Sequence, residues 1–496
     1  LRAKKGHGQP ASLWWRVRQA RVHQRKQHLS RGILVLDMNK QNTANLGKVL
    51  IITGIMYWLY RNNLNSLNNL IIFILVIWAI SAMLMRTKLF TKKEEQKFRR
   101  TKVISVIIAI MIILIATTAT IVINFVDEIG ADSHVYDSPN YQDEKFNNLN
   151  DTSVSTGNFF EVLAEYLVFD PSRTPNSVIP TEKFVIQELT GDDVSITWFG
   201  HSTIIIQSPA YNILIDPLFG QEGTGPLFFG PAPFDYDNTY KIEDLPPIDI
   251  ILISHDHYDH LDMKTIVQFE GSQFLTPLGV KPHLELWGIP SEDISEFDWY
   301  EGVNIRSDLQ ITLTPSQHFS GRSINEDDTL WGSWVIKLGS KSIFFGGDGG
   351  YSAEFKTIGD LYGPFDIAIV EAGQYNEAWS QIHMFPSETV QASIDLNSNM
   401  VMPIHNSKFE LSLHPWDEPL IEVTAEGTKR NHLVATPLIG QSFILGEEVP
   451  DYHWWNDVAP GGEPFLKSNT FVGLFIPIDI VIGVILIRNS RISTDF

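Results

Sequence analysis

The stretch that most constrains this chain is Ser254-His255-Asp256-His257-Tyr258-Asp259-His260-Leu261-Asp262. It follows directly on Ile248-Asp249-Ile250-Ile251-Leu252-Ile253, a short Ile-rich run set off by the turn pair Pro246-Pro247. Such a run reads as a buried strand, so the loop leaving its carboxyl end carries a dense set of nitrogen and oxygen donors. Imidazole and carboxylate suit zinc and other borderline divalent ions, and hydrolytic sites of this kind keep one position open for water. His255 and His257 alternate along an extended segment and can grip one ion, while Asp259 and His260 turn towards a second. A lone His-x-His is as readily a solvated loop; four ligand-type residues in the order H-x-H-x-D-H point to a metal site. The chain has no cysteine, so any metal must rest on His, Asp and Glu.

Further motifs recur around this loop: Thr197-Trp198-Phe199-Gly200-His201-Ser202, Leu214-Ile215-Asp216-Pro217, Leu245-Pro246-Pro247-Ile248-Asp249, Thr314-Pro315-Ser316-Gln317-His318 and Gly346-Gly347-Asp348. In this order they resemble the metallo-β-lactamase superfamily. Within it they resemble the branch of the N-acylphosphatidylethanolamine-hydrolysing phospholipase D enzymes and their bacterial relatives, with the ascorbate-6-phosphate lactonases as more distant cousins. The resemblance covers roughly 138–446 and implies an α/β fold, a four-layer αββα sandwich with metals at one sheet edge. It also implies a ligand set: His255, His257 and His318 on one metal, Asp259, His260 and His405 on the other, and Asp348 bridging them. The implied cofactors are two divalent ions, zinc first, with manganese or iron as alternatives.

Two departures from the family pattern bear on the pocket. Gly349 stands where Ser or Thr usually follows the bridging aspartate, and Asn406-Ser407 stand where Trp-Gly usually follow the last histidine. His383 matches a histidine that, in the phospholipase branch, positions substrate or protonates the leaving group; the residue before it is Ile382 where the animal enzymes have Gln. The expected catalytic residues are therefore His383 and Asp348. His201 is expected to orient the site or serve the fold, and His414 to be structural or, as the alternative, to support the ligands from behind. Gly373-Gln374-Tyr375-Asn376-Glu377-Ala378-Trp379 is a candidate pocket wall, and His134, His432 and His453 are assigned nothing.

Charge is segregated along the chain. Residues 1–102 hold 20 basic and 3 acidic residues, and the remainder 17 and 55. An acidic body disfavours nucleic-acid binding. Residues 1–45 read as a basic, disordered arm. Apolar stretches follow at 46–60, 70–85 and 103–126, the last having 24 residues without a charge. At about 1.5 Å per residue that run covers the ~30 Å hydrocarbon core, so membrane spans are expected and a cleaved signal peptide is disfavoured. Arg86, Lys88, Lys92, Lys93, Lys97, Arg99, Arg100 and Lys102 should keep the loop between the last two spans in the cytoplasm, which places the hydrolase domain extracytoplasmic. Residues 127–157 read as a linker, 158–450 as the hydrolase domain, and 451–496 as an extension. In that extension 471–487 is apolar apart from Asp479 and either crosses the membrane or does not.

Within the domain, strands are expected at 194–199, 203–207, 211–215, 248–253, 310–313, 334–338, 342–345 and 365–370, and helices at 159–169, 263–270, 282–287 and 387–396. The function these features support is a membrane-anchored dimetal hydrolase in which metal-activated water attacks a lipid phosphodiester, N-acylphosphatidylethanolamine being the named substrate. A lactonase or small-phosphoester hydrolase on the same metals is the first alternative. A metal-binding sensor or assembly module without catalysis is the second.

Overall fold

The computed structural model describes residues 127–458 apart from 132–133, 156–161, 163–164, 166–169, 221–223, 226–229 and 323–325. The basic arm, the apolar stretches at 46–60, 70–85 and 103–126, and the segment 471–487 lie outside the described residues, as does all but Val162 and Glu165 of the helix expected at 159–169. Among the described residues no helix is long and apolar enough to cross a membrane.

Two seven-stranded sheets build the domain. The first has strand order β16-β3-β4-β5-β6-β7-β8, with β3 (Ser195–Trp198), β4 (Ile204–Gln207), β5 (Asn212–Ile215), β6 (Ile250–Leu252), β7 (Gln273–Pro277), β8 (Ile294–Phe297) and β16 (Ser442–Ile444). The second has the order β15-β14-β13-β12-β11-β10-β9, with β9 (Gly302–Arg306), β10 (Leu309–Thr314), β11 (Ser333–Leu338), β12 (Lys341–Phe345), β13 (Ile367–Glu371), β14 (Met400–Ile404) and β15 (Leu433–Val434). Each sheet runs antiparallel through its early strands, then turns parallel: from β5 to β8 in the first, from β12 to β15 in the second. A small hairpin, β1 (Tyr141–Gln142) and β2 (Lys145–Phe146), precedes them.

The continuous apolar runs follow from burial on both faces. Ile250 and Leu252 point between the sheets, where they join Ile311, Trp334, Ile343 and Ile369 in the central core. Their neighbours Ile251 and Ile253 point outward, against α1 (Met263–Ile266) and α2 (Lys281–Leu286) through Ile266 and Leu284. The second sheet repeats the arrangement: Phe344, Val370 and Val401 pack on α3 (Glu354–Tyr362), α4 (Pro386–Asp395) and α5 (Glu418–Arg430) through Ile358, Val390 and Val423. The layers are thus helix, sheet, sheet, helix.

Four differences from the expected elements have physical reasons. The helix expected over 263–270 stops at Ile266, after a start where the Asp262 carboxylate accepts the N–H groups of Lys264 and Thr265. Strands β8 and β9 are edge or near-edge strands with exposed alternate positions, so their hydrophobic signal is weak. The stretch expected to be a linker is packed on the domain: Phe146 is buried in the central core, beside Tyr136 and Tyr141. Helices α3 and α5 and strands β7 and β16 were not anticipated, being short or only half apolar.

Trp334 joins the central core to the metal-type loop. It is fully buried, and its Nε1 donates to the Ile253 carbonyl at 3.0 Å, two residues before His255. Trp334→Ala is expected to lower unfolding free energy by ~3–5 kcal/mol, the cost of an emptied aromatic site. Urea unfolding followed by circular dichroism measures this, and a loss below ~1 kcal/mol would show that the core closes over the vacancy.

Candidate metal centre

The candidate residues all arrive from the carboxyl ends of strands. His255, His257, Asp259 and His260 follow β6; His318 follows β10; Asp348 follows β12; His405 follows β14. In α/β sheets this is the edge at which ligands bind. The loop after β6 folds back on itself because the His257 carbonyl accepts the N–H groups of both His260 and Leu261. That turn brings His260 round beside His255, with ring centroids 4.1 Å apart. Gly347 has φ +59°, and a Cβ there would lie 2.9 Å from both the Gly332 carbonyl oxygen and Ser254 Cβ, so only glycine lets Asp348 approach this loop. His201, Asp216 and His405 also sit at positive φ (54°, 43° and 63°). Strain of this kind concentrates where surrounding structure holds functional groups in place.

All seven side chains converge. His255 Nε2 lies 2.9 Å from His257 Nδ1, which lies 3.3 Å from His318 Nε2. Asp348 Oδ2 is 3.2 Å from the Nε2 atoms of His260 and His405, and 3.9 Å from those of His255 and His318. Asp259 Oδ2 is 3.7 Å from His260 Nε2. One ligand atom each from His255, His257 and His318 falls within 4.8 Å of the others, and so do those of Asp259, His260, His405 and His201. Tetrahedral ligands bound at ~2.0–2.1 Å are themselves ~3.3 Å apart, close to several of these separations. His260 Nε2 and Asp348 Oδ1 are buried without a hydrogen-bond partner. The donor set therefore fits two divalent ions, with Asp348 in reach of both.

A second layer of groups fixes the rings. His260 Nδ1 pairs with Asp216 Oδ2 at 2.8 Å, and Asp216 also accepts the Ser254 N–H and hydroxyl. His318 Nδ1 donates to the Ile382 carbonyl at 3.1 Å, and Ser254 Oγ and Ser202 Oγ lie beside the Nδ1 atoms of His255 and His405. Each of these four histidines is thus held at Nδ1 and turns Nε2 towards the cluster, the arrangement that metal-binding histidines favour. His201 is fully buried and reaches Asp259 Oδ2 at 2.8 Å, while its backbone pairs with Asn406 and His405 across the two sheets. It orients Asp259 and the His405 loop together.

Burial sets the protonation of these groups. It holds His255, His318 and His405 well below the usual imidazole range and brings His257 and His201 down to about 4. His260 goes the other way: burial opposes its proton, but the carboxylates of Asp348, Asp259 and Asp216 outweigh burial and raise it well above 6.5. Burial pushes Asp348 up to about 6 even beside His260.

His383 stands on the open side. Its side chain and that of Asp259 are 13% and 14% exposed, whereas those of His255, His260, His318, Asp348 and His405 are at most 3%. Its ring stacks on His405 at 5.2 Å, and its Nδ1 pairs at 2.7 Å with Oε2 of the fully buried Glu371, the last residue of β13. Glu371 Oε1 accepts the Met384 N–H at 2.6 Å. Burial raises Glu371 well above the usual carboxyl range and lowers His383.

Asp216, Glu371 and Lys408 were not assigned roles from sequence. Asp216 lies in a quoted motif, and a buried acid at a strand end is its only signal. Glu371 ends an apolar strand and shows its partner only once His383 folds back. Lys408, buried and lowered to about 7 by that burial, donates to the carbonyls of Leu218 and Phe199, tying the loops behind His405 and His201. His414 Nε2 accepts the Gln374 N–H, and its ring stacks on Tyr375. Asn406, Ser407, Gln374 and His414 line a small surface cleft next to the His405 loop. Residues departing from the family pattern thus form part of that wall. His432, assigned nothing, bonds Ser393 Oγ at 2.8 Å, away from the cluster.

An ion taken up at His260 must displace its proton. Apparent metal affinity should then keep rising with pH beyond the range in which an ordinary imidazole of pKa ~6.5 has levelled off. Calorimetric titration of zinc into metal-free protein at pH 7.5, in two buffers of different ionisation enthalpy, counts the protons released. About one per chain is expected from His260, in addition to any proton released by metal-bound water; no release at all would mean that His260 is neutral before metal arrives.

Comparison with known proteins agrees with this geometry. A family model described as a beta-lactamase superfamily domain matches residues 211–406, from β5 to the residue after His405. The protein Rv0906 of Mycobacterium tuberculosis is 36% identical over 332 residues, covering 64% of this chain and 87% of that one. An N-acyl-phosphatidylethanolamine-hydrolyzing phospholipase D 1 of Caenorhabditis elegans is 29% identical over 259 residues (47% of this chain, 72% of that one). A mitochondrial N-acyl-phosphatidylethanolamine-hydrolyzing phospholipase D of Saccharomyces cerevisiae is 30% identical over 268 residues (50% and 55%). The fold, the convergent ligand cluster and these relatives lead to one assignment: the chain belongs to the metallo-β-lactamase superfamily of metal-dependent hydrolases.

Proposed function

We propose that this hydrolase is anchored in a membrane and cleaves a phospholipid such as N-acylphosphatidylethanolamine in the manner of a phospholipase D. The observation that carries the reading is the Glu371–His383 pair at 2.7 Å, set on the open side of the cluster and outside the seven expected ligands. The printed activity of the nematode and yeast relatives supports the substrate class. The uncharged run 103–126 supports the anchor, and the basic residues from Arg86 to Lys102 support an extracytoplasmic site.

In this reading His255, His257 and His318 hold one divalent ion, and Asp259, His260 and His405 hold the other, with Asp348 between them. Bound ions would supply Lewis-acid polarisation and lower the pKa of water from ~15.7 towards ~7. The chain supplies the remaining proton transfer. Attack of water at phosphorus expels the headgroup alcohol as an alkoxide, a poor leaving group unless protonated. One proton is shared between Glu371 Oε2 and His383 Nδ1, and burial of both groups favours the net-neutral pair. Whichever atom holds that proton, His383 Nε2 carries an N–H on the side of the cluster. Giving it to the leaving oxygen leaves a neutral imidazole whose Nδ1–H is anchored by the Glu371 carboxylate, as in other carboxylate–histidine pairs.

His383→Gln should leave metal content unchanged and lower turnover of N-acylphosphatidylethanolamine by about 10²–10⁴-fold, the usual range for general acid help. A diester with a nitrophenolate leaving group needs no proton and should lose far less. Equal losses on the two substrates would reduce His383 to a substrate-positioning role. Turnover of lactones in place of both diesters by the unaltered protein would overturn the substrate class.

A further inference from the structure

The segment 127–131, which begins one residue after the uncharged run 103–126, is bound to the same structure that holds the metal loop. Trp287 Nε1 donates to the Asp127 carbonyl at 2.6 Å, and the Ala131 N–H donates to His283 Nδ1 at 2.9 Å. Gly130, between them, has φ +99°, and a Cβ there would lie 2.3 Å from His283 Nδ1, so the segment fits only with glycine. Arg322 joins the segment to the site. It is nine-tenths buried, donating through Nη2 to the Glu128 carbonyl at 2.8 Å and through Nη1 to the carbonyls of Asp256 and Leu261 at 2.6 and 2.7 Å. Its guanidinium lies 4.0 Å from the Tyr258 ring centroid and 5.1 Å from that of Trp287. One side chain therefore spans from the loop carrying His255–His260 to the first residues after the apolar run.

We propose that the outer face made by α1, α2 and the segment 127–131 is the surface this domain lays against a lipid bilayer, which holds the metal loop at the depth of the lipid headgroups. The inference rests on the membrane-anchored reading and names the face through which it acts. The chain leaves its 24-residue uncharged run at Val126 and is pinned to this face from Asp127 onward, so no slack separates the two. On this face Val267 and Leu286 are exposed (39% and 48%), and Trp287, packed part-buried against the core, is of the residue type enriched at the membrane–water boundary. The opposite outer layer, with α5, lies across both sheets from it, and β15 is the far edge strand of the second sheet beside α5.

The absence of cysteine allows a direct test. Val267→Cys or Leu286→Cys, and as controls Ile421→Cys on α5 or Leu433→Cys on β15, are exposed positions at which an environment-sensitive fluorophore can be attached. Each labelled full-length protein is reconstituted in phosphatidylcholine vesicles with and without a brominated phosphatidylcholine. Labels at 267 and 286 should shift to the blue and lose intensity with the brominated lipid, and labels at 421 and 433 should do neither. Equal quenching at all four positions, or quenching only at 421 and 433, would overturn the proposed face. Failure of the full-length protein to float with vesicles would overturn the face and the anchor together. Quenching at 267 and 286 in a protein that hydrolyses no phospholipid would uphold the face and remove the substrate reading.

Discussion

Everything in this domain depends on keeping a dense set of imidazoles and carboxylates out of water. His255, His260, His318, Asp348 and His405 are essentially without solvent contact, and His260 Nε2 and Asp348 Oδ1 have no hydrogen-bond partner. Burying such groups unpaired costs several kcal/mol each, and a divalent ion offsets that cost by taking the unshared lone pairs. The surrounding protein holds the rings so that this can happen. Asp216, Ser254, Ser202 and the Ile382 carbonyl each occupy an Nδ1 position, leaving Nε2 for the cluster.

The two sheets explain why these residues meet. Each changes from antiparallel to parallel pairing part-way across, so strands β5, β6, β10, β12, β13 and β14 all end at one edge. Every metal-type residue, and Glu371 as well, leaves from those ends. A stiff interior then fixes the spacing, because Trp334 bonds the Ile253 carbonyl and Arg322 bonds the carbonyls of Asp256 and Leu261. The loop that carries four of the seven expected ligands is thus clamped from both ends. His383 and Asp259, the most exposed members, mark the side from which a substrate can approach.

The parts legible in the sequence are those with strong local patterns. The Ile-rich runs gave β4, β5 and β6 to within a residue or two, because burial on both faces leaves no polar interruption. Asp348 and His405 are named as ligands by the family resemblance, and each stands just beyond the end of a buried strand. What stayed hidden depended on distant partners. Glu371 looks like the polar end of a strand until His383 returns to it from twelve residues away, and Arg322 looks like a loop cation until it is seen to reach Glu128. The hairpin 141–146 was hidden by its polar composition, although Phe146 carries it into the core. Edge strands β8 and β9 were hidden because half of each faces water.

The ligand cluster, with Asp348 within 3.9 Å of histidines in both groups, would seat two ions that share this carboxylate. Anomalous X-ray scattering from crystals of the zinc-loaded protein, recorded on both sides of the zinc absorption edge, measures this directly. Two peaks per chain are expected, ~3.5–4 Å apart as in other two-metal sites, one among His255, His257 and His318 and one among Asp259, His260 and His405. A single peak, or a second peak away from Asp348, would contradict it.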